Sequence, residues 1–186
     1  DLFDDEFQRK LDYLAVVSRR VFSGAMHAER RTKKTGSGVE LWNPDTRAFE
    51  LSSSQCEALT KVVIKEGGRG CKDPVLNRDF IGKDAAVLAR SIGLSISEGT
   101  RLLWSEVPND HPLVWTEQLM PFLPVTVCSS VDAAIELAYE TEGGNHHTAS
   151  MHSMDVGNLT KMARRMQCSI FVKNAPTLYG LGLGEG

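Results

Sequence analysis

The sequence predicts an α/β fold with a largely parallel sheet, preceded by a long N-terminal amphipathic helix. Three observations carry that reading. Beyond the stretch from Thr116 to Val125, short β-branched and apolar runs alternate with helical stretches. Phe3, Phe7, Leu11, Leu14, Val17 and Val21 recur at spacings of three and four, which makes one apolar stripe. Between the two regions, Thr35-Gly36-Ser37-Gly38 breaks the helical period.

The elements follow in order. The stripe predicts a helix over 4–31, with Asp4, Asp5 and Glu6 in its first turn. Arg30, Arg31, Lys33 and Lys34 follow its last turn, and both ends suit the helix dipole. The basic end reads as a solvated terminus. Ser52-Ser53-Ser54 caps a predicted helix over 55–65, with Leu59, Val62 and Val63 on one face. Glu66-Gly67-Gly68-Arg69-Gly70 ends it and, following a helix, lacks the strand-loop-helix context of a phosphate cradle. A second helix is predicted over 82–91, stopped by Gly93, and a short strand over 101–104. Asn109-Asp110-His111-Pro112 reads as a turn into Thr116-Glu117-Gln118-Leu119-Met120-Pro121-Phe122-Leu123-Pro124-Val125. There Pro121 marks a boundary and Pro124 the first residues of a strand over 123–128. Helix 131–141, strand 147–152, helix 155–166 with Asp155 as N-cap, and strand 169–173 complete the series. This alternation implies right-handed βαβ crossovers.

The totals bound what such a chain does. Its 186 residues suit one domain or slightly more, and a 41% hydrophobic share supplies a core. A formal net charge of -3 gives no reason to expect nucleic acid as a partner of the whole chain. The first six residues are acidic where a secretory leader needs positive charge, and no apolar run reaches membrane-span length. A cytoplasmic setting without membrane contact is expected. The first residue is not Met, which reads as a fragment or a processed piece. The four cysteines, Cys56, Cys71, Cys128 and Cys168, show no Cys-x-x-Cys spacing, so neither a metal nor a redox motif is expected. Cys128 and Cys168 fall in predicted strands and read as core residues.

Three stretches offer chemistry. Glu117, among Trp115, Leu119, Met120 and Phe122, reads either as a solvated residue on a short helix or as an acceptor at a pocket mouth. Gly143-Gly144-Asn145-His146-His147 is a loop with histidines. His147 and His152 are an odd offset apart and point to opposite faces of a strand, against a zinc site. His147 reads as a hydrogen-bonding residue at a pocket edge or as a structural one. Asn174-Ala175-Pro176 precedes Gly180-x-Gly182-x-Gly184, which has no following helix to complete a phosphate loop. No Ser-His-Asp set, close carboxylate pair or Cys-His pair can be argued from spacing.

Two resemblances add to this. Phe22-Ser23-Gly24, Arg30-Arg31 and Gly36-Ser37-Gly38-Val39-Glu40 resemble the start of MoxR-associated bacterial proteins with a von Willebrand factor A-like domain; the pattern stops at Leu41, and no function follows from it. Residues 1–40 therefore read as a piece foreign to residues 41–186. In the latter, the motifs are Asn77-Arg78-Asp79-Phe80-Ile81-Gly82-Lys83-Asp84, Thr100-Arg101-Leu102-Leu103, His111-Pro112, the stretch from Thr116 to Val125, His146-His147-Thr148-Ala149-Ser150-Met151-His152-Ser153, and Cys168 to Pro176. From about Glu50 onward these resemble the CoA-acylating aldehyde dehydrogenases of bacterial microcompartments.

The resemblance implies part of an aldehyde dehydrogenase catalytic domain, with NAD and CoA as cofactors of the intact enzyme and a small aldehyde as its substrate. It implies that Glu117 accepts hydrogen bonds from the nicotinamide ribose and that Leu119 packs beside the nicotinamide. It implies that Asn174, Ala175 and Pro176 line the substrate pocket, to which His147 is added as an edge residue. The match begins after the point where the family's nucleophilic cysteine lies, and neither Cys56 nor Cys71 carries that motif. The chain alone is therefore expected to be inactive and to hold neither cofactor tightly. Self-association and a place in a microcompartment lumen are expected. The alternative is a non-catalytic scaffold whose N-terminal helix binds a partner.

Overall fold

A computed structural model describes residues 48–175 with Thr177 and Gly180, and before them the backbone of three short strands. These are β1 (Lys33–Thr35), β2 (Gly38–Glu40) and β3 (Trp42–Asn43). The helix expected over 4–31 lies outside the described residues. Those residues form two compact units that meet in sequence at Val125 and Thr126.

The first unit continues with β4 (Ala48–Glu50) and α1 (Ser53–Val63). Ser52 and Gln55 make a capping box: Ser52 Oγ accepts the Gln55 N–H at 3.4 Å, and Gln55 Oε1 accepts the Ser52 N–H at 2.8 Å. The helix stops earlier than the expected 65 because Ile64 turns extended (φ -112°, ψ 120°). The β-branched run Val62-Val63-Ile64 favours that change. Ile64 opens β5 (Ile64–Glu66), which pairs antiparallel with β6 (Val75–Leu76). The Gly-rich loop thus follows a strand, not a helix, and joins a hairpin.

A 3₁₀ turn (Arg78–Phe80) leads to α2 (Ala85–Ser91). Gly93 at φ 78° ends that helix, its N–H bonding Arg90 O at 3.0 Å while the Leu94 N–H bonds Ala89 O at 2.9 Å. That is the paired pattern of a Schellman stop, as the glycine predicts. Next come β7 (Leu102–Glu106), α3 (Pro112–Trp115) and β8 (Phe122–Val125). The strand expected over 123–128 ends at Val125, so Cys128 lies beyond it, buried but not in a strand.

Strands β3-β4-β7-β8 form one sheet in that order, with β4, β7 and β8 parallel and β3 antiparallel. Leu103 faces both Phe49 and Phe122 in register. Pro124 sits third in β8 rather than at its start, which the sheet tolerates because β8 has no strand on its far side among the described residues. Leu51, Leu59, Leu88, Leu103 and Leu113, all at most 2% exposed, form the core with Phe122.

The second unit is a helix followed by a βαβ turn of chain. Its elements are α4 (Val131–Glu142), β9 (Thr148–Met151), α5 (Val156–Met166) and β10 (Ile170–Lys173). Ser130 caps α4 by accepting the Ala133 N–H, and Gly143 at φ 68° stops it. Asp155 caps α5, its Oδ1 accepting from Gly157 N–H at 2.6 Å and Asn158 N–H at 3.2 Å. Strands β9 and β10 run parallel in a sheet of their own, from Thr148 opposite Ile170 to Met151 opposite Lys173. Ile135, Ala138, Met151, Leu159, Met162 and Met166 make its core. Cys168 is half-buried in the turn before β10, not in the strand, and its thiol donates to Ile170 O at 3.0 Å. The alternation of helices and parallel strands is as expected, but it is spread over separate sheets.

Candidate functional site

The stretch around Glu117 is built from its N-terminal side. His111 caps α3, its Nδ1 accepting the Leu113 N–H at 3.3 Å, with Pro112 in the first turn. The helix ends after Trp115 because Thr116 is extended (φ -121°, ψ 126°). Thr116 is buried, and its hydroxyl accepts the Gly68 N–H at 2.8 Å across 48 positions of sequence. A side chain at Gly67 would stand 2.6 Å from that same hydroxyl oxygen, so glycine permits the approach. Gln118 folds back, its amide donating to Leu113 O and, at 2.6 Å, to Thr116 O. Leu119 O accepts the Gly82 N–H at 3.1 Å.

Glu117 is therefore an exposed carboxylate off the helix, on backbone held from both sides. Leu119 takes φ 54°, a left-handed conformation that costs a leucine energy and that the surrounding bonds impose. Its side chain is 42% exposed.

In the second unit, His147 and Asn174 lie at opposite ends of the parallel pair. His147 precedes the amino end of β9, while Asn174 follows the carboxyl end of β10, a separation on the order of 17 Å along the strand direction, five residue steps at about 3.3 Å each. The structure thus brings Asn174 and Ala175 together and leaves His147 apart from them. Neither His147 nor His152 is in the strand; both are exposed residues flanking it. His147 Nδ1 lies 2.5 Å from Thr148 Oγ1, and its N–H donates to the buried Glu142 carboxylate at 3.3 Å.

Asn174, at φ 52°, uses its whole amide on one residue. Its Oδ1 accepts the Ser153 N–H at 2.8 Å, and its Nδ2 donates to Ser153 O at 3.0 Å. Its own N–H donates to Met151 O at 3.0 Å. The side chain acts as one more peptide group, pairing the strands past the last backbone rung. Ala175 follows half-buried, and Pro176 lies outside the described residues.

Burial pushes the Cys56 thiol above its ordinary range, against hydrogen bonds from Ser105 and Thr60 that lower it. Among the described residues no three His, Cys, Asp or Glu side chains gather to hold a metal, and no helix is long and apolar enough to cross a membrane. The clasp of Gly68 on Thr116 and the buried Glu142 behind His147 were not legible as site features. The signal for the first was the Gly67-Gly68 pair itself; an isolated glutamate in an amphipathic helix gives none.

Solved structures similar to this chain include aldehyde dehydrogenases. One is a propionaldehyde dehydrogenase of Rhodopseudomonas palustris, solved with CoA bound and a cysteine acylated. It matches with a TM-score of 0.66 at 42% identity, over 75% of this chain and 31% of that one. Another is a propionaldehyde dehydrogenase from the fucose-utilisation microcompartment of Clostridium phytofermentans, with a TM-score of 0.67 at 34% identity, over 77% and 31% of the two chains. In sequence, the chain is 46% identical over 140 residues to the acetylating acetaldehyde dehydrogenase EutE of Salmonella typhimurium, covering 74% of this chain and 29% of that protein. No protein-family model matches. Over about three quarters of its length the chain thus has CoA-acylating aldehyde dehydrogenases as homologues, and it spans under a third of theirs.

Proposed function

We propose that residues 41–186 contribute to the catalytic domain of a CoA-acylating, NAD-dependent aldehyde dehydrogenase, which converts a short aldehyde, CoA and NAD to acyl-CoA and NADH. The observation that carries this is the 46% identity over 140 residues to an acetylating acetaldehyde dehydrogenase. In this reading Glu117 accepts hydrogen bonds from the nicotinamide ribose, and Leu119 holds the face of the ring. When bound, NAD takes the hydride and CoA the acyl group. The chain's own part is positional. The bonds from Gly68 to Thr116 and from Gly82 to Leu119 fix the backbone that presents the carboxylate. Ala175 and Pro176 line the aldehyde pocket, and Asn174 acts through the Ser153 clamp that orients them. His147, at the other end of the strand pair, falls outside that pocket.

The reading includes no nucleophile from this chain. A thiolate is needed, and Cys56 is buried with its thiol pushed away from ionisation. The chain alone is proposed to be inactive, and residues 1–40, with their von Willebrand-type resemblance, to play no part in the chemistry. Association with other chains follows from β8, which has no strand on its far side among the described residues. A cytoplasmic or microcompartment-lumen location goes with the proposal.

The test is a transplant. Residues 50–186 replace the matching segment of Salmonella EutE, and NADH formation from acetaldehyde, CoA and NAD is followed. CoA-dependent turnover is expected, with Glu117→Gln in the transplant raising KM for NAD. A folded transplant without turnover overturns the reading. The unaltered chain, assayed alone, is expected to match a protein-free blank.

A further inference from the structure

We infer that Gln118 is a positioning residue for Glu117: its side-chain amide fixes the peptide group that leads into the residue bearing the carboxylate. The inference rests on the proposed role of Glu117 for its functional meaning, not for its geometry. The bond from Gly68 ends on the Thr116 hydroxyl, and the bond from Gly82 ends on the Leu119 carbonyl. Both act at the ends of segment 116–119. Neither touches the peptide group between Thr116 and Glu117, which turns about the backbone torsions on either side of it. The oxygen of that group is Thr116 O, and Gln118 Nε2 donates to it at 2.6 Å. The same nitrogen donates to Leu113 O.

The helix end explains why an amide belongs there. α3 is four residues long, and its carbonyls lose their intrahelical donors once Thr116 turns extended (φ -121°, ψ 126°). In a continued helix Leu113 O would take the N–H of residue 117. Here the Gln118 side chain supplies a donor instead. A primary amide nitrogen carries two N–H donors in one plane. Two carbonyls receive them, one on the helix and one just past the extended residue. Filling both donors fixes the amide plane, and with it the turn from Leu113 to Gln118. Gln118 is half-buried and Glu117 exposed, so the holding group is shielded while the carboxylate is presented. Leu119 follows at φ 54°, a conformation that a leucine holds where neighbouring bonds impose it. A side chain of the same length without donors, such as Met, fills the space and leaves both carbonyls without this partner.

The Gln118 side-chain amide reads the geometry in the full chain. The chain has four glutamines, and Gln118→Met removes one pair of side-chain N–H resonances and so assigns it. That pair is expected to exchange with solvent roughly tenfold or more slowly than the pair of an exposed glutamine. An equal rate overturns the inference. If the methionine variant does not fold, the pair is assigned through the bonds of residue 118 and the same rate decides. What the bonds do for Glu117 is read in the transplant of residues 50–186. There Gln118→Met is expected to raise KM for NAD by roughly 2- to 12-fold, the worth of one ordinary hydrogen bond lost by a misplaced carboxylate. With Glu117→Ala already present, the same substitution is expected to add nothing, because Gln118 acts through that carboxylate. An equal rise in both backgrounds, as general loosening gives, overturns the inference, and so does no rise in either. A transplant without turnover, or one whose KM for NAD ignores Glu117→Ala, overturns the dehydrogenase reading instead. The exchange rate in the full chain then decides the inference by itself.

Discussion

The unit ending at Val125 and the unit beginning at Thr126 are held in different ways. In the first, the decisive bonds join residues far apart in sequence. Gly68 reaches Thr116, Ser105 Oγ donates to Leu51 O at 3.0 Å, and the Asn77 N–H donates to Val63 O at 2.9 Å. In the second, caps at Ser130 and Asp155 are joined by the Asn174–Ser153 bonds and by an exposed face where α5 meets α4. There Lys161 pairs with Asp132 at 2.6 Å, and Arg165 pairs with Glu136 while lying over the Tyr139 ring. Arg165 lowers the Glu136 carboxyl below its usual range, yet exposed pairs of this kind add little to stability. The first unit's longest bonds are buried, whereas those of the second are exposed or half-buried.

Core truncation gives the largest expected difference between them. Leu103, fully buried on the central strand β7, touches both neighbours of its sheet, and Leu103→Ala is expected to cost about 2–5 kcal/mol. Met162→Ala in α5 falls in the same range of about 2–5 kcal/mol. If the units are held separately, denaturant unfolding followed by exchange shows each substitution lowering protection in its own unit first. Equal loss in both units from either substitution breaks the comparison.

The next effect tests the clasp itself. Thr116→Val keeps the shape and removes the hydroxyl, leaving the buried Gly68 N–H without its acceptor, at a cost of about 1–3 kcal/mol. Exchange at Gly68 is expected to accelerate, together with loosening at 116–119. Asn174→Ala removes two bonds to Ser153, but from an exposed residue whose left-handed backbone alanine disfavours. Its effect is expected to stay local to Ser153 and Ala175. A wide loss of protection from Asn174→Ala would make the second unit the clasped one.

This difference in wiring also decides how much of each unit was legible. Ser130, Gly143 and Asp155 punctuate the second unit at positions that follow from residue type, and its helices and strands fall within a few residues of expectation. The exception is Gln167 at φ 46°, a stop for α5 made without glycine. In the first unit β4, β5, β6 and α3 went unread. Each is two to four residues long, too short for a period, and exists through its partners. The same holds for the site. Glu117 and Asn174 could be singled out from sequence, but the Gly68 clasp, the Ser153 clamp and the His111 cap are pairings that a linear reading does not contain.

The smallest effect concerns pH and belongs to the first unit's core. Cys56 is 1% exposed on α1, and burial raises its thiol above the ordinary range. A thiol raised in the folded state keeps its proton at pH values where the unfolded chain has already lost it. The unfolded state then binds fewer protons, so stability falls as pH rises. The contribution is whole below the ordinary thiol value of about 8.5 and is lost upward from there, at a slope that approaches about 1.4 kcal/mol per pH unit. Cys56→Ala deletes the titration at a cost on the order of 1 kcal/mol for the small cavity left at neutral pH. Urea midpoints of the two proteins between about pH 7 and pH 10 are expected to start apart and converge. Parallel curves would mean that the thiol ionises as readily in the fold as out of it, and that the core beside Ser105 and Thr60 admits water.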